Sequence, residues 1–364
     1  MSEAEYERLF QLFKELVDAL GVSGFEDEVR GLVAEKFKPH ADAVKVDSLG
    51  NVVASIKGED ENCKVMLAAH MDEIGLMVSH IESNGFLRFT AVGGVNPATL
   101  IGNRVWVKAR SGKIKGVVGV KPWHLMSPEE AKKVPELKEL FIDIGASSRE
   151  EAEKMGVRVG DVAVVDRSAE RLNGRLVASR AADDRIGVAV LIDALSRVYG
   201  SKLPCSVYAV ATVQEEVGCR GAQVAAFAIK PTMAIAVDIT TANDVAGVSE
   251  QDYVVRVGRG PAIKVMDATR TSFLGLIAHP KVREFLVRVA EEEGIPYQLE
   301  VLVGGTTDAS TIHLTREGVP SGVVSIPTRY AHSPSEVFSL EDAVNASRLI
   351  ASALGRFRPE LLLF

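Results

Sequence analysis

Two adjacent carboxylates, Glu215 and Glu216, close the run Val207-Tyr208-Ala209-Val210-Ala211-Thr212-Val213-Gln214, and Gly218 follows. The run is apolar and rich in β-branched residues, as a strand buried on both faces should be. An ionised carboxylate is costly to bury without a partner, so packing gives no reason for the pair. Either both glutamates reach solvent at the strand end, the common fate of Glu, or they belong to a site. Three other places carry the same signature. His70-Met71-Asp72 follows the apolar Val65-Met66-Leu67-Ala68-Ala69. His70 and Asp72 are two apart and share a face in an extended chain. They suit a metal ligand and the group that orients it, or a solvent-facing pair. Met233-Ala234-Ile235-Ala236-Val237 ends on Asp238, and Asp183-Asp184-Arg185 opens a helix. There the acids serve as caps or as a site entrance. In open α/β sheets, ligands bind beyond the carboxyl ends of the strands. Acids and an imidazole gathered at such an edge repel one another unless cations lie among them. The chemistry predicted is that of a metal centre.

The elements that must position these residues are legible in outline. Glu3 to Leu20 reads as an amphipathic helix with Leu9, Phe10, Phe13, Leu16 and Val17 on one face. Ser23 is expected to cap a second helix from about Gly24 to Lys38. Strands are expected at 44–47, 51–57 and 64–70. From Glu73 to about Arg167, short apolar stretches alternate with glycine turns, which predicts a β-rich module of the small-barrel kind. The α/β texture then resumes, so this module reads as an insertion. A hairpin at Asn173-Gly174, a helix over 186–199, a helical piece over 221–227 and strands at 233–238, 253–257, 297–303 and 323–327 follow. Met266 to Gly275 reads as irregular. A helix is expected over 281–293, and another, carrying His313, opens near Gly304. His332 falls on a loop before the last helix, 340–354, which Ser339 precedes. His80, His124 and His313 read as structural or surface histidines.

Composition bounds the class. At 364 residues, with 47% hydrophobic and 25% charged residues, the chain suits one large interrupted domain or two domains. No apolar run approaches the roughly 20 residues of a membrane span. The acidic start Met1-Ser2-Glu3-Ala4-Glu5 lacks the basic region of a signal peptide. A net charge of −7 and the lack of a basic stripe argue against nucleic acid. Cys63, Cys205 and Cys219 are odd in number and scattered, and are expected to be reduced thiols in a cytoplasmic protein.

Five motifs stand in sequence: His70-Met71-Asp72, Ala182-Asp183-Asp184-Arg185, Gln214-Glu215-Glu216-Val217-Gly218, Val237-Asp238 and Arg329-Tyr330-Ala331-His332-Ser333-Pro334. In order and spacing they resemble the tetrahedral (TET) aminopeptidases, dinuclear metallopeptidases that also go under the names endoglucanase and deblocking aminopeptidase. The resemblance spans essentially the whole chain. It implies a three-layer α/β/α mixed-sheet peptidase domain, residues 1–72 and 168–364, interrupted by a β-barrel dimerisation domain, 73–167. It implies two divalent metal ions per subunit, Zn²⁺ or Co²⁺. Asp183 would bridge them, His70 and Asp238 would complete one, and Glu216 and His332 the other. Glu215 would be the general base and Asp72 the partner of His70, while Asp308 and Arg329 are candidate substrate contacts. The resemblance also implies a cis peptide between Asp183 and Asp184. Glu215 and Glu216 would point to opposite faces of a regular strand, so both enter one site only if the strand breaks, which Gly218 makes easy.

The implied reaction removes the N-terminal residue from short peptides with a free N-terminus, Glu215 taking the proton of a metal-activated water. The implied assembly is a dimer-built dodecamer, with no nucleic-acid or membrane partner. The sequence departs from the family pattern at Cys219, where leucine is usual, over Asn243 to Gly247, and at Thr306. Alternatives are another di-metal hydrolase, deacylase or carboxypeptidase-like, a glycosidase, or a metal-stabilised scaffold without activity. A glycosidase needs two opposed carboxylates and no metal. A scaffold has no use for a spare carboxylate, Glu215, beside a ligand, Glu216.

Overall fold

The computed structural model describes residues 2–271 and 274–363. The chain begins with α1 (Glu3–Asp18), α2 (Asp27–Phe37), β1 (Ala43–Val46), β2 (Val52–Ile56) and β3 (Asp60–His70). Next come β4 (Gly75–Ile81), β5 (Leu87–Val92), β6 (Arg104–Ala109), β7 (Gly112–Gly119), β8 (Phe141–Asp143), α3 (Arg149–Lys154) and β9 (Val162–Val165). The chain continues through β10 (Glu170–Arg171), β11 (Leu176–Ser179), α4 (Ala182–Val198), β12 (Cys205–Thr212), α5 (Arg220–Ile229) and β13 (Met233–Thr241). It ends with β14 (Ala262–Ala268), β15 (Gly275–Ile277), α6 (Pro280–Glu292), β16 (Gln298–Val303), α7 (Ala309–Ile312), β17 (Ser321–Arg329), β18 (Glu336–Ser339) and α8 (Leu340–Arg356).

A large mixed sheet runs β1-β2-β12-β3-β13-β17-β18-β11-β10, with β14 on β17 and β15 and β16 on β14. Its centre, β12-β3-β13-β17, is parallel. Alternate residues of β3 serve opposite layers. Val65, Leu67 and Ala69 pack with α1, α4 and α8, whereas Met66 and Ala68 pack with α5. This is why the strand reads as an uninterrupted apolar run. The α1 stripe falls as its periodicity predicts, with Phe13 fully buried and its ring edge-on to Phe338 at 5.0 Å. A capping box between Ser2 and Glu5 starts that helix. Strands β4-β5-β8-β7-β6-β9 close into a barrel around Leu76, Val78, Leu87, Val105, Val107 and Ile142. The three-layer α/β/α sheet with an inserted barrel is thus the observed architecture.

Several local expectations are corrected. Ser23 does not cap α2; its hydroxyl donates to Asp72 Oδ2 at 2.6 Å, and Glu26 precedes the helix. Residues 253–257 form no strand, because their amides turn to side chains. Val254 N donates to Asn243 Oδ1 and Arg256 N to Gln298 Oε1, both at 2.9 Å. The stretch expected to be irregular, Met266 to Gly275, includes the end of β14 and the start of β15, while its Ser272 and Phe273 lie outside the described residues. Met1 of the N-terminal reading lies outside them as well. The helix expected from Gly304 is the short α7, and His313 ends it with Nδ1 2.8 Å from Ala309 O.

The cysteine expectation is overturned for two of three residues. Cys63 and Cys205 form a disulfide, with Cα atoms 4.9 Å apart, and only Cys219 is free. The reason is strand pairing: β3 and β12 are parallel neighbours, Lys64 pairs with Ser206, and the register shifts just before it, where Cys205 pairs with Asp60. That brings the two sulfurs together although 142 residues separate them. No described helix is long and apolar enough to cross a membrane.

Candidate active site

Sheet register delivers the first residues. Thr212 pairs with His70, and Ala236 pairs with Ala68, so two residues later β13 and β3 reach Asp238 and His70 side by side. Asp183 and Asp184 join at a cis peptide, and their backbone angles depart from the helix that continues as α4. Asp184 Oδ1 accepts from Gly187 N at 3.0 Å and so caps that helix. Asp183 turns the other way, toward both histidines.

The strand does break before the glutamate pair. β12 stops at Thr212, and Gln214, Gly218 and Cys219 adopt left-handed φ values of 56°, 122° and 50°. Asp72 holds this turn in place: Oδ1 accepts from Glu215 N at 3.0 Å and Oδ2 from Glu216 N at 3.3 Å. Asp72 also faces the His70 ring, whose Nδ1 is 3.2 Å from the Asp72 backbone O and 3.6 Å from Oδ1.

Two groups of side chains result. His70, Asp183 and Asp238 each offer a ligand atom within 4.8 Å of the others, and Asp183, Glu216 and His332 do the same. His70 Nε2 lies 2.9 Å from Asp183 Oδ1 and 3.8 Å from Asp238 Oδ1. His332 Nε2 lies 3.2 Å from Asp183 Oδ2 and 3.5 Å from Glu216 Oε2. Asp183 is common to both groups. Glu215 Oε2 is 3.9 Å from His70 Nε2 but belongs to neither.

Residues outside the sequence expectation complete the frame. Glu336 accepts from His332 N at 2.8 Å and from Asp183 N at 3.1 Å, so one buried carboxylate fixes two of the converging backbones. The barrel contributes Gly94, whose carbonyl is 3.0 Å from His332 Nδ1. A Cβ at Gly94 would stand 2.6 Å from that nitrogen, so only glycine permits the approach. Glu336 stands two residues beyond the His332 motif, but nothing in its type separates it from a surface acid. Gly94 had no readable signal. The two candidate substrate contacts lie apart from both groups. Arg329 forms a bidentate pair with Asp244 at 3.0 and 2.5 Å. Buried Asp308 accepts from Thr212 Oγ1 at 2.6 Å.

The electrostatics show what this site needs. Burial drives Glu216 up to about 8, with the Asp183 charge adding to it. Burial and the Asp183 charge push Asp238 well above the carboxylate range; burial, Asp308 and Glu216 do the same for Glu215. Burial would also raise Asp183, but hydrogen bonds from His332 and His70 hold it low. His332 rises to about 11 through its bond to Asp183. Carboxylates packed this closely cannot all ionise without protons or cations among them. Glu216 Oε1 is buried and takes no hydrogen bond among the described residues, as an oxygen reserved for a ligand would be. Imidazole and carboxylate donors in such groups fit a borderline divalent ion.

Comparison with known proteins agrees with this geometry. Residues 50–349 match the family described as M42 glutamyl aminopeptidase. The lysyl aminopeptidase of Pyrococcus furiosus is 41% identical over 357 residues, covering 96% of this chain and 98% of the relative. An aminopeptidase structure from Desulfurococcus kamchatkensis superposes with a TM-score of 0.93 at 51% identity, covering 98% of this chain and 97% of that one. The TET1 peptidase of Pyrococcus horikoshii, which can assemble into a tetrahedron or a large octahedral shell, superposes with a TM-score of 0.85 at 34% identity, covering 96% of this chain and all (100%) of that one. The resemblance read from five short motifs therefore holds over the whole molecule, and the chain belongs to the M42 aminopeptidase family.

Proposed function

We propose that this chain is a metal-dependent aminopeptidase that releases the N-terminal residue of short peptides. The observation that carries the reading is that Asp183 is shared by two ligand groups while Glu215 stands beside them in neither. His70, Asp183 and Asp238 would hold one divalent ion, and Asp183, Glu216 and His332 a second, Zn²⁺ or Co²⁺. When bound, such ions supply Lewis acidity toward a carbonyl and a water. The protein's own residues do the rest. Glu215 takes a proton from the attacking water and delivers it to the leaving amine. Asp72 fixes the Glu215 backbone and faces the His70 ring, which sets where that carboxylate acts. The substrate expected is a peptide with a free α-ammonium group, as the aminopeptidase family would take. Arg329, tied to Asp244, and Asp308, tied to Thr212, are proposed as substrate contacts.

The barrel, residues 73–167, is proposed as the dimer contact, the cytoplasm as the location and a dimer-built dodecamer as the assembly; the assembly of the Pyrococcus horikoshii relative into a tetrahedron or a large octahedral shell supports a large oligomer. The test is a panel of aminoacyl-nitroanilides with N-acetylated counterparts, run after chelation and after restoring Zn²⁺ or Co²⁺. The reading expects loss on chelation, recovery with metal and no cleavage of acetylated substrates. Turnover that survives exhaustive chelation would overturn it. A solution mass measurement tests the assembly.

A further inference from the structure

Glu215 belongs to another group, one that the two-metal reading does not use. Glu215, Cys219 and Asp308 each offer a ligand atom within 4.8 Å of the others. Cys219 Sγ donates to Glu215 Oε1 at 3.2 Å. Asp308, 3% exposed, spends Oδ2 on Thr212, while its Oδ1 is buried without a hydrogen-bond partner among the described residues. A buried carboxylate oxygen with no donor, beside a thiol and a second carboxylate, is a coordination set short of its ion. Glu215 and Cys219 line the same open cleft as Asp183, Asp238 and His332, so an ion has a route in.

We propose that Glu215, Cys219 and Asp308 form a third cation site, selective for thiophilic divalent ions such as Cd²⁺ or excess Zn²⁺, whose occupation silences the enzyme. Selectivity follows from sulfur, which favours soft ions over Mg²⁺ or Ca²⁺. Ligand bonds of about 2.3 Å to sulfur and about 2.0–2.2 Å to oxygen place neighbouring donors roughly 3–4 Å apart in a tetrahedron. The 3.2 Å between Sγ and Oε1 already suits that arrangement. On binding, the S–H bond breaks, a metal–sulfur bond forms and the proton leaves to solvent, with no change of oxidation state. Silencing rests on the proposed base role of Glu215, since a carboxylate held by an ion accepts no proton. Binding does not rest on it.

The test is a Cd²⁺ titration of the Zn²⁺-loaded protein, followed by thiolate-to-metal absorption in the ultraviolet and by nitroanilide turnover. The two proposed catalytic groups contain no sulfur, and Cys63 and Cys205 are joined, so the band reports Cys219 alone. One equivalent per subunit should produce the band while turnover falls in step. Cys219→Ser should abolish the band, and Asp308→Asn should raise the half-saturating Cd²⁺ concentration by about tenfold or more. No band in the wild-type protein would overturn the site, as would a band indifferent to Asp308→Asn. A band with turnover intact would keep the site and overturn the base role of Glu215. The wild-type titration decides the matter even if a variant fails to fold.

Discussion

The carboxylate of Asp72 holds the backbone amide of Glu215 at 3.0 Å, across 143 residues of sequence. The same carboxylate takes the Glu216 amide and the Ser23 hydroxyl, so one side chain fixes the turn that presents both glutamates. Asp72→Asn keeps the shape but sets an NH₂ group against one of these donors. Turnover should fall about 10–100-fold. Stability should drop by about 1–3 kcal/mol for the unsatisfied buried donor. Steady-state kinetics and denaturant unfolding of the metal-loaded variant check both.

Glu73 is buried at the junction between sheet and barrel. It pairs with Arg180, lies 3.1 Å from Arg185 Nη2 and accepts from Gly21 N at 3.2 Å. Arg185 in turn donates to the carbonyl of Leu16, in the last turn of α1, and to that of Ala19 just beyond its end. Glu73→Gln strands two buried guanidinium groups, and breaking such a pair costs about 3–5 kcal/mol. Urea midpoints should fall accordingly.

Metal-free protein should weaken as pH rises. Glu216 and Glu336 both sit at about 8 in the folded chain against 4.5 when unfolded, burial being the main cause. The folded state therefore binds more protons between these values, and the stability they contribute is full below 4.5 and lost as pH climbs through 8. His332 acts in the same sense, from 6.5 upward to about 11. Cations replace those protons, so the Tm gained by adding Zn²⁺ should widen from pH 5 to pH 8. Calorimetry of both forms across that range is the check, and a gap that narrows would contradict it.

Denatured, unreduced protein should expose one titratable thiol, and reduction should expose three, since Cys63 and Cys205 are joined and Cys219 is free. Three thiols without reduction would restore the expectation read from sequence.

Sequence carried much of the site because strand termini carry their chemistry in line. His70, Glu216 and Asp238 follow apolar runs, and register alone brings His70 and Asp238 side by side. The barrel was legible from its alternation and turns. What stayed hidden depends on contacts between distant segments. The Cys63–Cys205 bond follows from a parallel pairing that no local pattern encodes. Ser23 looks like a helix cap until the fold sets Asp72 beside it. Glu336 serves the His332 and Asp183 amides, partners that only the folded chain supplies.

The base role of Glu215 is the centre of the account, and Glu215→Gln tests it most directly when metal content and nitroanilide hydrolysis are measured on the same preparation. The side chain keeps its size and lies outside both ligand groups, so metal per subunit should match the wild type. Hydrolysis should fall by about 10²–10⁴-fold, the usual contribution of a general base. Full metal content with turnover unchanged would contradict the account.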